Sequence, residues 1–341
     1  MSNYIPNTLI TSFSILGEHL RNPDSELKEL IDTEKLYNAW FTPESVSAAI
    51  SAIAENLNSF DLTKLVARYT LGSNDTPKNV GLILAGNIPL VGFHDILCVL
   101  ITGNHALIKA SSQDSRLIKY ILHKLVNIDK TFDGRFTFVE RLQHFDAVIA
   151  TGSDNSSRYF EYYFGKVPHI IRKNRNSLAL LTGEETTAQL FELGHDLFDY
   201  YGLGCRNVSK LLVPEGYNFV PFFEAIEPYN QIINHHKYNN NYDYNKSVYL
   251  VNGEKHLDNG FLLVKEDERL ASPLAVLFFE YYSDPASAAN IINTQSEKIQ
   301  CVVSSLPLKV SAQVVGFGKS QQPELADYAD GIDTMKFLAD L

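Results

Sequence analysis

The chain has 341 residues, of which 45% are hydrophobic and 20% are charged, and its formal net charge at pH 7 is −11. That length supports a sizeable core and favours two domains, and the ordinary charge content excludes wholesale disorder. The acidic balance, with a pI of about 5.4, excludes the basic footprint of nucleic-acid binding and disfavours anionic membranes.

Targeting signals are not evident. No apolar run approaches the roughly 18 residues of a membrane span, and no basic region precedes an apolar run near residue 1. We therefore expect neither a membrane span nor a signal peptide. The three cysteines, Cys98, Cys205 and Cys301, form a sparse, odd set that is typical of a reducing compartment, so we predict a cytoplasmic protein.

Residues 1–70 are predicted to form a helical N-terminal segment that packs on the domain behind it. Apolar residues recur at helical spacing in SFSILGEHLRN and in SVSAAISAIAENL. Thr42-Pro43-Glu44 supplies an N-cap followed by proline at the first helical position.

Strands and helices alternate from Asn79 onward, which predicts a mostly parallel, doubly wound α/β domain over residues 71–180. The predicted strands are NVGLILAG, HALIKAS, RFTFVE and AVIATG. The predicted helices are PLVGFHDILCVLITG, QDSRLIKYILHKLVNI and DNSSRYFEYYFG, the last with Asp154 or Asn155 near its N-cap.

A second α/β unit follows, with HIIR and SLALLTG as its first predicted strands and residues 181–315 as its domain. A helix ending at Gly202 precedes the strand VSKLLVP. The Asn- and Tyr-rich residues 234–247 are predicted to form a solvent loop. Residues 316–341 are predicted to form a C-terminal segment that returns to the site or to an interface.

Cys205 lies in YYGLGCRNVSK, on a predicted turn between a helix and a strand. Backbone amides on such a turn, together with Arg206 if it lies close, would favour the thiolate, which is the reactive form of cysteine. The alternative is a small buried core residue. For Cys98, inside DILCVLI, and Cys301, inside QCVVSS, we predict burial in the core.

Three further places follow predicted strands, where α/β sheets bind their ligands. Asn87, in AGNIPLVGF, either donates its side-chain amide to an oxyanion or caps a turn. Lys109 ends HALIKAS and either binds a ligand or is solvated. Gly152-Ser153 precedes a helix whose N-terminal amides can hold a phosphate, although the GxGxxG pattern is absent there.

The segment VGLILAGNIPLVGFHDILCVLITGNHALIKASSQDS resembles the cofactor-domain core of the aldehyde dehydrogenase superfamily. That family's Asn-Phe-Pro-Leu, Ala-Gly-Asn and Lys-Pro-Ser-Glu-Gln motifs correspond to Asn87-Ile88-Pro89-Leu90, Thr102-Gly103-Asn104 and Lys109-Ala110-Ser111-Ser112-Gln113. ATGSDNSSRYF resembles its Phe-Thr-Gly-Ser turn, and GLGCRN resembles its segment around the nucleophile. The resemblance covers most of residues 79–341. It implies an aldehyde-dehydrogenase-like fold of two doubly wound α/β domains with a helical N-terminal segment.

Within that superfamily, GCRNVSKLLVP, NSLALLTGEET and LADYADGIDTMKFL look like the LuxC-type fatty acyl-CoA reductases. The resemblance implies a reductase that converts a fatty acyl-CoA thioester to the aldehyde. We expect a long-chain acyl group, although the sequence does not set the chain length. It implies that Cys205 is the nucleophile that carries the acyl group and that Asn87 holds the oxyanion. The residues implied to bind the cofactor are Lys109, Ser111, Ser112, Gly152 and Ser153.

One departure concerns the glutamate base that ordinary aldehyde oxidisers carry in Glu-Leu-Gly-Gly-Lys. The matching stretch, residues 171–177, contains no acid. A reductase benefits from that loss, because an activated water would hydrolyse the acyl-enzyme; an inactive chain is the alternative. The basic cluster Arg172, Lys173 and Arg175 either attracts the phosphates of CoA or NADPH or is a solvated surface run.

A second departure concerns the cofactor. NAD-preferring members of the family place an acid three residues after the lysine to hold the ribose hydroxyls, and the matching residue is Ser112. Without that carboxylate a 2′-phosphate is not repelled, and Lys109 is nearby, so we predict NADPH over NADH. The glutamate that orients the nicotinamide ribose has no clear counterpart, since Arg269 fits its spacing better than Glu268.

Other interpretations stay open. A cysteine hydrolase or acyltransferase would use Cys205 without hydride transfer, and an inactive family member would act as a scaffold. His195, on a predicted helix, is either a proton donor or a surface residue. His235-His236 has no further ligands at metal-site spacing, so no metal is predicted.

The expected partner is a small-molecule substrate, acyl-CoA. The resemblance also allows a partner synthetase that delivers the acyl group as an acyl-protein, and a homodimer formed by strand addition. No nucleic-acid partner is expected.

Overall fold

The computed structural model describes residues 7–71 and 76–341, which form two compact units. The first unit comprises Met1–Asn174 and Glu324–Leu341, and the second comprises Arg175–Pro323. The chain therefore leaves the first unit at residue 174 and returns to it at residue 324.

The first unit contains a five-stranded sheet and the helices around it. Its helices are α1 (Asn7–Arg21), α2 (Ser25–Thr33), α3 (Pro43–Asn56), α4 (Ser59–Val66), α5 (Phe93–Ile101), α6 (Ser115–Ile128), α7 (Asp154–Phe164) and α12 (Thr334–Ala339). Its strands are β1 (Asn79–Ile83), β2 (His105–Lys109), β3 (Phe136–Phe138), β4 (Ala147–Thr151) and β5 (His169–Arg172).

The strands of this sheet are parallel and lie in the order β3-β2-β1-β4-β5. The strand order reverses at β1, which has β2 on one side and β4 on the other. A reversal of this kind opens a crevice at the carboxyl ends of the strands, where α/β sheets bind ligands. The loops after β1, β2 and β4 therefore border the crevice in which a cofactor would bind.

The N-terminal helices share their core with the sheet. Phe13 of α1 packs edge-on against Phe132, with ring centroids 5.4 Å apart. Leu27 and Ile50 are buried in the same apolar cluster, and each such side chain contributes about 1.5–3 kcal/mol by leaving water. The Thr42 side chain caps α3, whose first residue is proline, as predicted.

The second unit is built on a seven-stranded sheet. Its helices are α8 (Thr187–Phe198), α9 (Val220–Ile226), α10 (His236–Asn252) and α11 (Pro285–Thr294). Its strands are β6 (Asn176–Leu180), β7 (Val208–Pro214), β8 (Leu257–Asp258), β9 (Leu263–Glu266), β10 (Val276–Tyr282), β11 (Ile299–Val303) and β12 (Gln313–Val315). The order is β12-β11-β6-β7-β10-β9-β8, and every pair is parallel except β8 with β9.

Short 3-10 helices connect several of these elements. They span Glu34–Leu36, Lys130–Phe132, Asp199–Gly202, Glu227–Asn234, Ser296–Lys298 and Ala329–Gly331. Among the residues that the structure describes, no helix is both long enough and apolar enough to cross a membrane.

The structure corrects two of the predicted elements. The strand HIIR is β5, which pairs with β4 in the first sheet and is not the first strand of the second unit. The predicted solvent loop over residues 234–247 is mostly helix α10. Tyr238, Tyr242 and Tyr249 are buried at helical spacing along it, and this burial outweighs the turn preference of the intervening asparagines.

Candidate active site

Lys109 is the last residue of β2 and lies at the carboxyl edge of the first sheet. Ile83, the last residue of β1, pairs with it in register. The Leu84 amide just beyond β1 donates a hydrogen bond to the Lys109 carbonyl at 3.2 Å. The Lys109 side chain is exposed, so it is available at the edge where parallel sheets bind ligands.

The turn that carries Asn87 packs directly on the turn that carries Ser111 and Ser112. A Cβ atom added to Gly86 would lie 2.3 Å from Oγ of Ser111. Only glycine fits at such a distance. Asn87 and Ser112 are both exposed beside this contact, so two of the sequence motifs meet at one place in the fold.

Gly152 and Ser153 form the third turn of this edge, between β4 and α7. The Gly152 amide donates to the Arg172 carbonyl at 3.4 Å, and a Cβ atom at Gly152 would come within 2.7 Å of the Phe160 ring. Ser153 is the N-cap of α7, and its hydroxyl accepts from the Ser156 amide at 3.3 Å. The N-terminal amides of a helix are donors suited to a phosphate.

In the second unit, an unusual stretch of backbone leads from α8 to Cys205. Tyr200 and Tyr201 have φ of 53° and 61°, and Gly202 follows with φ of 77°. Two consecutive non-glycine residues in the left-handed region cost on the order of 1 kcal/mol each. Tyr201 lies against His235, with ring centroids 4.4 Å apart. Cys205 follows on an exposed turn before β7, as predicted.

Asn207 closes the turn around Cys205. Its Oδ1 accepts from the Gly204 backbone amide at 2.8 Å, and its backbone amide donates to the Gly204 carbonyl at 3.1 Å. Its Nδ2 donates to the backbone carbonyls of Asp196 and Asp199 at 3.2 and 2.9 Å. One buried side chain thus ties the turn to the end of α8.

Ser177 fixes the other side of the same turn. Its hydroxyl lies 2.9 Å from the Cys205 carbonyl, to which it donates, and accepts from the Cys301 amide at 3.2 Å. The Cys301 thiol lies 3.1 Å from the same oxygen. Since Ser177 is fully buried, these bonds hold the backbone of Cys205 without competition from water.

Arg206 is directed towards the same buried region. Its guanidinium donates to the Ser320 carbonyl at 3.3 Å and to Oε1 of Gln313 at 2.9 Å. It also opposes the rise in the pKa of Cys301, which burial causes. The structure therefore shows Arg206 anchoring the segment that follows Cys205.

Cys98 and Cys301 are core residues, as predicted. Both are fully buried, on α5 and β11 respectively. Burial raises the pKa of each thiol, and does so strongly for Cys98. A buried thiol with a raised pKa is inert. Cys205 is the exposed cysteine of the three.

The basic cluster is not a phosphate site at Arg172. Arg172 is buried and forms a two-bond ion pair with Asp95, and it also donates to the Thr334 hydroxyl at 3.0 Å. Lys173 pairs with an acidic residue of α7 at 2.9 Å, and Arg175 donates to a backbone carbonyl at 3.2 Å. The interpretation of Arg172 as a solvated surface residue was wrong, because the side chain is buried. Its partner Asp95 lies 77 residues earlier in the chain, so no local pattern indicates the pair.

His195 lies on α8, with Nδ1 3.1 Å from Oδ1 of Asp199. Its side chain is partly exposed, so it has the access that a proton donor needs. Burial raises the pKa of Asp199, and His195 opposes that rise. Residues 7–71 and 76–341 contain no cluster of three or more His, Cys, Asp or Glu side chains suited to a metal ion.

A cavity of about 90 Å³ adjoins the Cys205 turn within the second unit. Gly202, Gly204, Asn207, Tyr238 and Leu274 are among the residues that line it. The glycines of the turn therefore border open space.

The sequence profile of the family described as acyl-CoA reductase (LuxC) matches residues 25–213, more than half of the chain. The chain belongs to this family. The match includes Asn87, Lys109 and Cys205, and so extends over parts of both units.

A curated relative of this LuxC-family chain is a long-chain acyl-protein thioester reductase from Aliivibrio fischeri. It is 27% identical over 154 residues, which cover 40% of this chain. The match spans about a third, 32%, of that relative's length.

Solved structures share the fold. Aldehyde dehydrogenase 21 from Physcomitrella patens, in complex with the reaction product succinate, has a TM-score of 0.70 and 13% identity, covering 100% of this chain and 84% of that one. Aldehyde dehydrogenase from Mycobacterium tuberculosis, complexed with NAD+, has a TM-score of 0.65 and 14% identity, covering 92% and 77%. The LuxC-family chain therefore has the aldehyde dehydrogenase fold, as the sequence motifs implied.

Sequence motifs did not reveal how this chain of the LuxC family holds the segment around Glu268 and Arg269. Lys210, buried on β7, donates to the Glu268 carbonyl at 2.7 Å and pairs with Glu280. The exposed Arg269 pairs with Asp267 at 2.6 Å. The signal that could have indicated this ion pair is a lysine inside the apolar strand pattern VSKLLVP.

Proposed function

We propose that this chain is an NADPH-dependent reductase that converts a fatty acyl-CoA thioester to an aldehyde through an acyl-enzyme on Cys205. The observation that carries the proposal is the state of the cysteines in a LuxC-family chain. Cys98 and Cys301 are buried, whereas Cys205 is exposed on a turn that Ser177 and Asn207 fix.

Cys205 thiolate attacks the carbonyl carbon of the thioester and forms a new carbon–sulfur bond. The bond to the CoA sulfur then breaks, and CoA leaves as a thiol once it takes up a proton. The negative charge that develops on the carbonyl oxygen needs hydrogen-bond donors, each of which contributes about 3 kcal/mol. We assign this role to the Cys205 amide and, on its motif, to the Asn87 side chain.

The carboxyl edge of the first sheet fits a dinucleotide. Gly86 and Gly152 let backbone approach closely, and the N-terminal turn of α7 offers amides to a phosphate. We assign binding to Lys109, Ser111, Ser112, Gly152 and Ser153. NADPH bound there would supply the hydride that reduces the acyl thioester to a thiohemiacetal on Cys205. Its carbon–sulfur bond then breaks, which releases the aldehyde and returns the thiol. Lys109 and Ser112 favour a 2′-phosphate. The positive charge of Lys109 attracts the phosphate, and the neutral Ser112 does not repel it as a carboxylate would.

Residues 171–177, which match the stretch that holds the glutamate base of aldehyde oxidisers, contain no acid. Ser177, in the stretch where aldehyde oxidisers carry their glutamate base, uses its hydroxyl to hold the Cys205 and Cys301 backbones. A chain without that base keeps its acyl-enzyme for reduction, because hydrolysis needs a general base. This supports a reductase over a hydrolase.

The acyl donor is a second part of the proposal. CoA is the donor that the family description favours, and the Aliivibrio fischeri relative is described as a reductase of acyl-protein thioesters. A partner synthetase is therefore the second candidate donor. Incubation with a radiolabelled acyl-protein, followed by transfer of label to Cys205, would favour it over CoA.

The proposal extends to a homodimer in the cytoplasm. The homodimer rests on the sequence resemblance, and the cytoplasm rests on the sparse, odd number of cysteines. Light scattering of the purified protein measures the oligomeric state directly.

The test of the function is NADPH oxidation with a series of acyl-CoA chain lengths, run beside Cys205→Ser and Cys98→Ser. We expect turnover that Cys205→Ser abolishes and Cys98→Ser preserves. Equal loss in both variants would mean that the nucleophile is misassigned. Tight NADPH binding without turnover would favour a protein as the acyl donor. If the protein shows no NADPH binding and no turnover, the remaining functions are a hydrolase or a scaffold.

A further inference from the structure

Asp114 occupies the N-cap position of α6 but does not cap that helix. An aspartate at this position normally accepts a hydrogen bond from an amide in the first helical turn, and the Asp114 side chain makes no such bond. Its Oδ2 instead accepts from the Leu90 amide at 2.7 Å. Only 2% of Asp114 is exposed. The buried carboxyl group therefore binds a turn that lies 24 residues earlier in the chain and not its own helix.

The donor of this bond is a strained residue. Leu90 has φ of 60° and is itself buried, at 3% exposure. A leucine in the left-handed region persists only when its surroundings determine it. Leu90 belongs to the turn Asn87-Ile88-Pro89-Leu90, so the Asp114 carboxyl group holds the strained end of the turn that presents Asn87.

Asp114 is also part of the turn that follows β2. Its amide donates to the Ser111 carbonyl at 3.2 Å, and the Gln113 amide donates to Oγ of Ser111 at 3.2 Å. The same Ser111 fills the space left by Gly86. The two turns are therefore joined twice, by the contact between Gly86 and Ser111 and by the bond from Leu90 to Asp114.

We propose that Asp114 is a positioning residue that locks the Asn87 turn onto the Ser111–Ser112 turn, so that oxyanion donor and cofactor-binding groups keep one arrangement. What the two turns bind rests on the proposed function. The lock itself depends on an acceptor oxygen and not on a charge, because burial and the Glu34 carboxylate raise the pKa of Asp114 to about 8. Asparagine has the same shape and the same acceptor.

The test compares Asp114→Asn, Asp114→Ala and Asp24→Ala by hydrogen exchange, NADPH calorimetry and steady-state kinetics. Asp24 is the control, because it caps its own helix, α2, in the same unit. We expect Asp114→Ala to speed exchange of the Leu90 amide about 100-fold, weaken NADPH about 10-fold and lower kcat about 30-fold. Asp114→Asn should stay within about 3-fold of the wild type in all three, and Asp24→Ala should lower only the melting temperature.

Unchanged Leu90 exchange in a folded Asp114→Ala protein would overturn the proposal, as would an Asp114→Asn variant as damaged as Asp114→Ala. If Asp114→Ala does not fold, wild-type exchange decides: slow exchange of the Leu90 amide, which lies outside any helix or strand, supports the lock, and fast exchange refutes it. A wild type that reduces no acyl thioester would refute the proposed function and leave the exchange result standing.

Discussion

The hydroxyl of the fully buried Ser177 donates a hydrogen bond to the backbone carbonyl of Cys205 at 2.9 Å. Ser177 is the second residue of β6, and Cys205 lies on an exposed turn. The peptide plane of the exposed cysteine is thus set by a residue that no solvent reaches. Movement of this carbonyl would shift the Cα atom of Cys205 and with it the direction of the thiol.

Ser177→Ala should lower kcat about 10-fold with little change in KM, because a bond worth about 1–1.5 kcal/mol no longer orients the nucleophile. The matched control is Ser304→Ala, which removes a buried bond from a serine to the Leu180 carbonyl in the same sheet. That control should cost similar stability and leave kcat unchanged. Equal kinetic damage in both variants would mean that the effect is general loosening.

Arg172→Ala should lower the free energy of unfolding by about 3–5 kcal/mol, because it leaves Asp95 charged and buried without its partner. Lys173→Ala removes an exposed pair and should cost less than about 1 kcal/mol. Urea denaturation measures both. A small effect of Arg172→Ala, with a loss of NADPH or CoA affinity, would return this arginine to phosphate binding.

Gly86→Ala should destabilise the first unit, because its new Cβ would lie 2.3 Å from Oγ and 2.6 Å from Cβ of Ser111. Ser111→Gly removes both atoms. The double variant Gly86→Ala/Ser111→Gly should therefore recover part of the lost melting temperature, a coupling that a double-mutant cycle reveals. Strictly additive effects would show that the two turns relax independently.

Stability should depend on pH through Asp114. Burial raises the pKa of this group from 3.8 to about 8; the Leu90 amide opposes the rise, and Glu34, paired with Arg116 at 3.1 Å, adds to it. The folded state thus binds a proton that the unfolded state releases. The contribution is complete below pH 3.8 and is lost as the pH rises to about 8.

Asp114→Asn cannot release a proton, so its unfolding free energy should fall less steeply with pH than that of the wild type. The difference in slope should reach at most about 1.4 kcal/mol per pH unit. Urea titrations of both proteins at several pH values measure it. Parallel curves would show that Asp114 ionises in the folded protein as it does in the unfolded one.

Ser112→Glu should raise KM for NADPH about 10-fold and affect NADH much less, because a carboxylate at this position repels a 2′-phosphate. The side chain is exposed, so the substitution should leave the fold intact. Gln113→Glu adds the same charge one residue further on and should have a smaller effect. An unchanged cofactor preference would remove Ser112 from the site.

The sequence predicted the fold where local patterns decide it. Short apolar runs followed by glycine became β1 and β4, and the amphipathic stretch after Asp114 became α6. These elements depend on spacing within a few residues, and their parallel order follows from alternation. The buried state of Cys98 and Cys301 was also predicted, since each lies inside an apolar run.

What the sequence did not predict depends on contacts between distant residues. Ser177 and Cys205 are 28 residues apart, Leu90 and Asp114 are 24 apart, and Asp95 and Arg172 are 77 apart. No local pattern distinguishes Asp114 from a capping aspartate or Arg172 from a surface cation. The loop prediction for residues 234–247 failed for the same reason. Asn245 donates to the carbonyl of Leu274, which lies far along the chain, and the composition of the segment cannot show this bond.

The return of the chain at residue 324 gives synthesis and folding a particular order. Leu325, Met335 and Leu338 are buried in the core of the first unit, and Asp333 accepts hydrogen bonds from Tyr69. These residues emerge from the ribosome only after all of Arg175–Pro323. The first unit begins first and is completed after the second, so until then its nascent core lacks part of its apolar cover and exposes surface of the kind that chaperones bind.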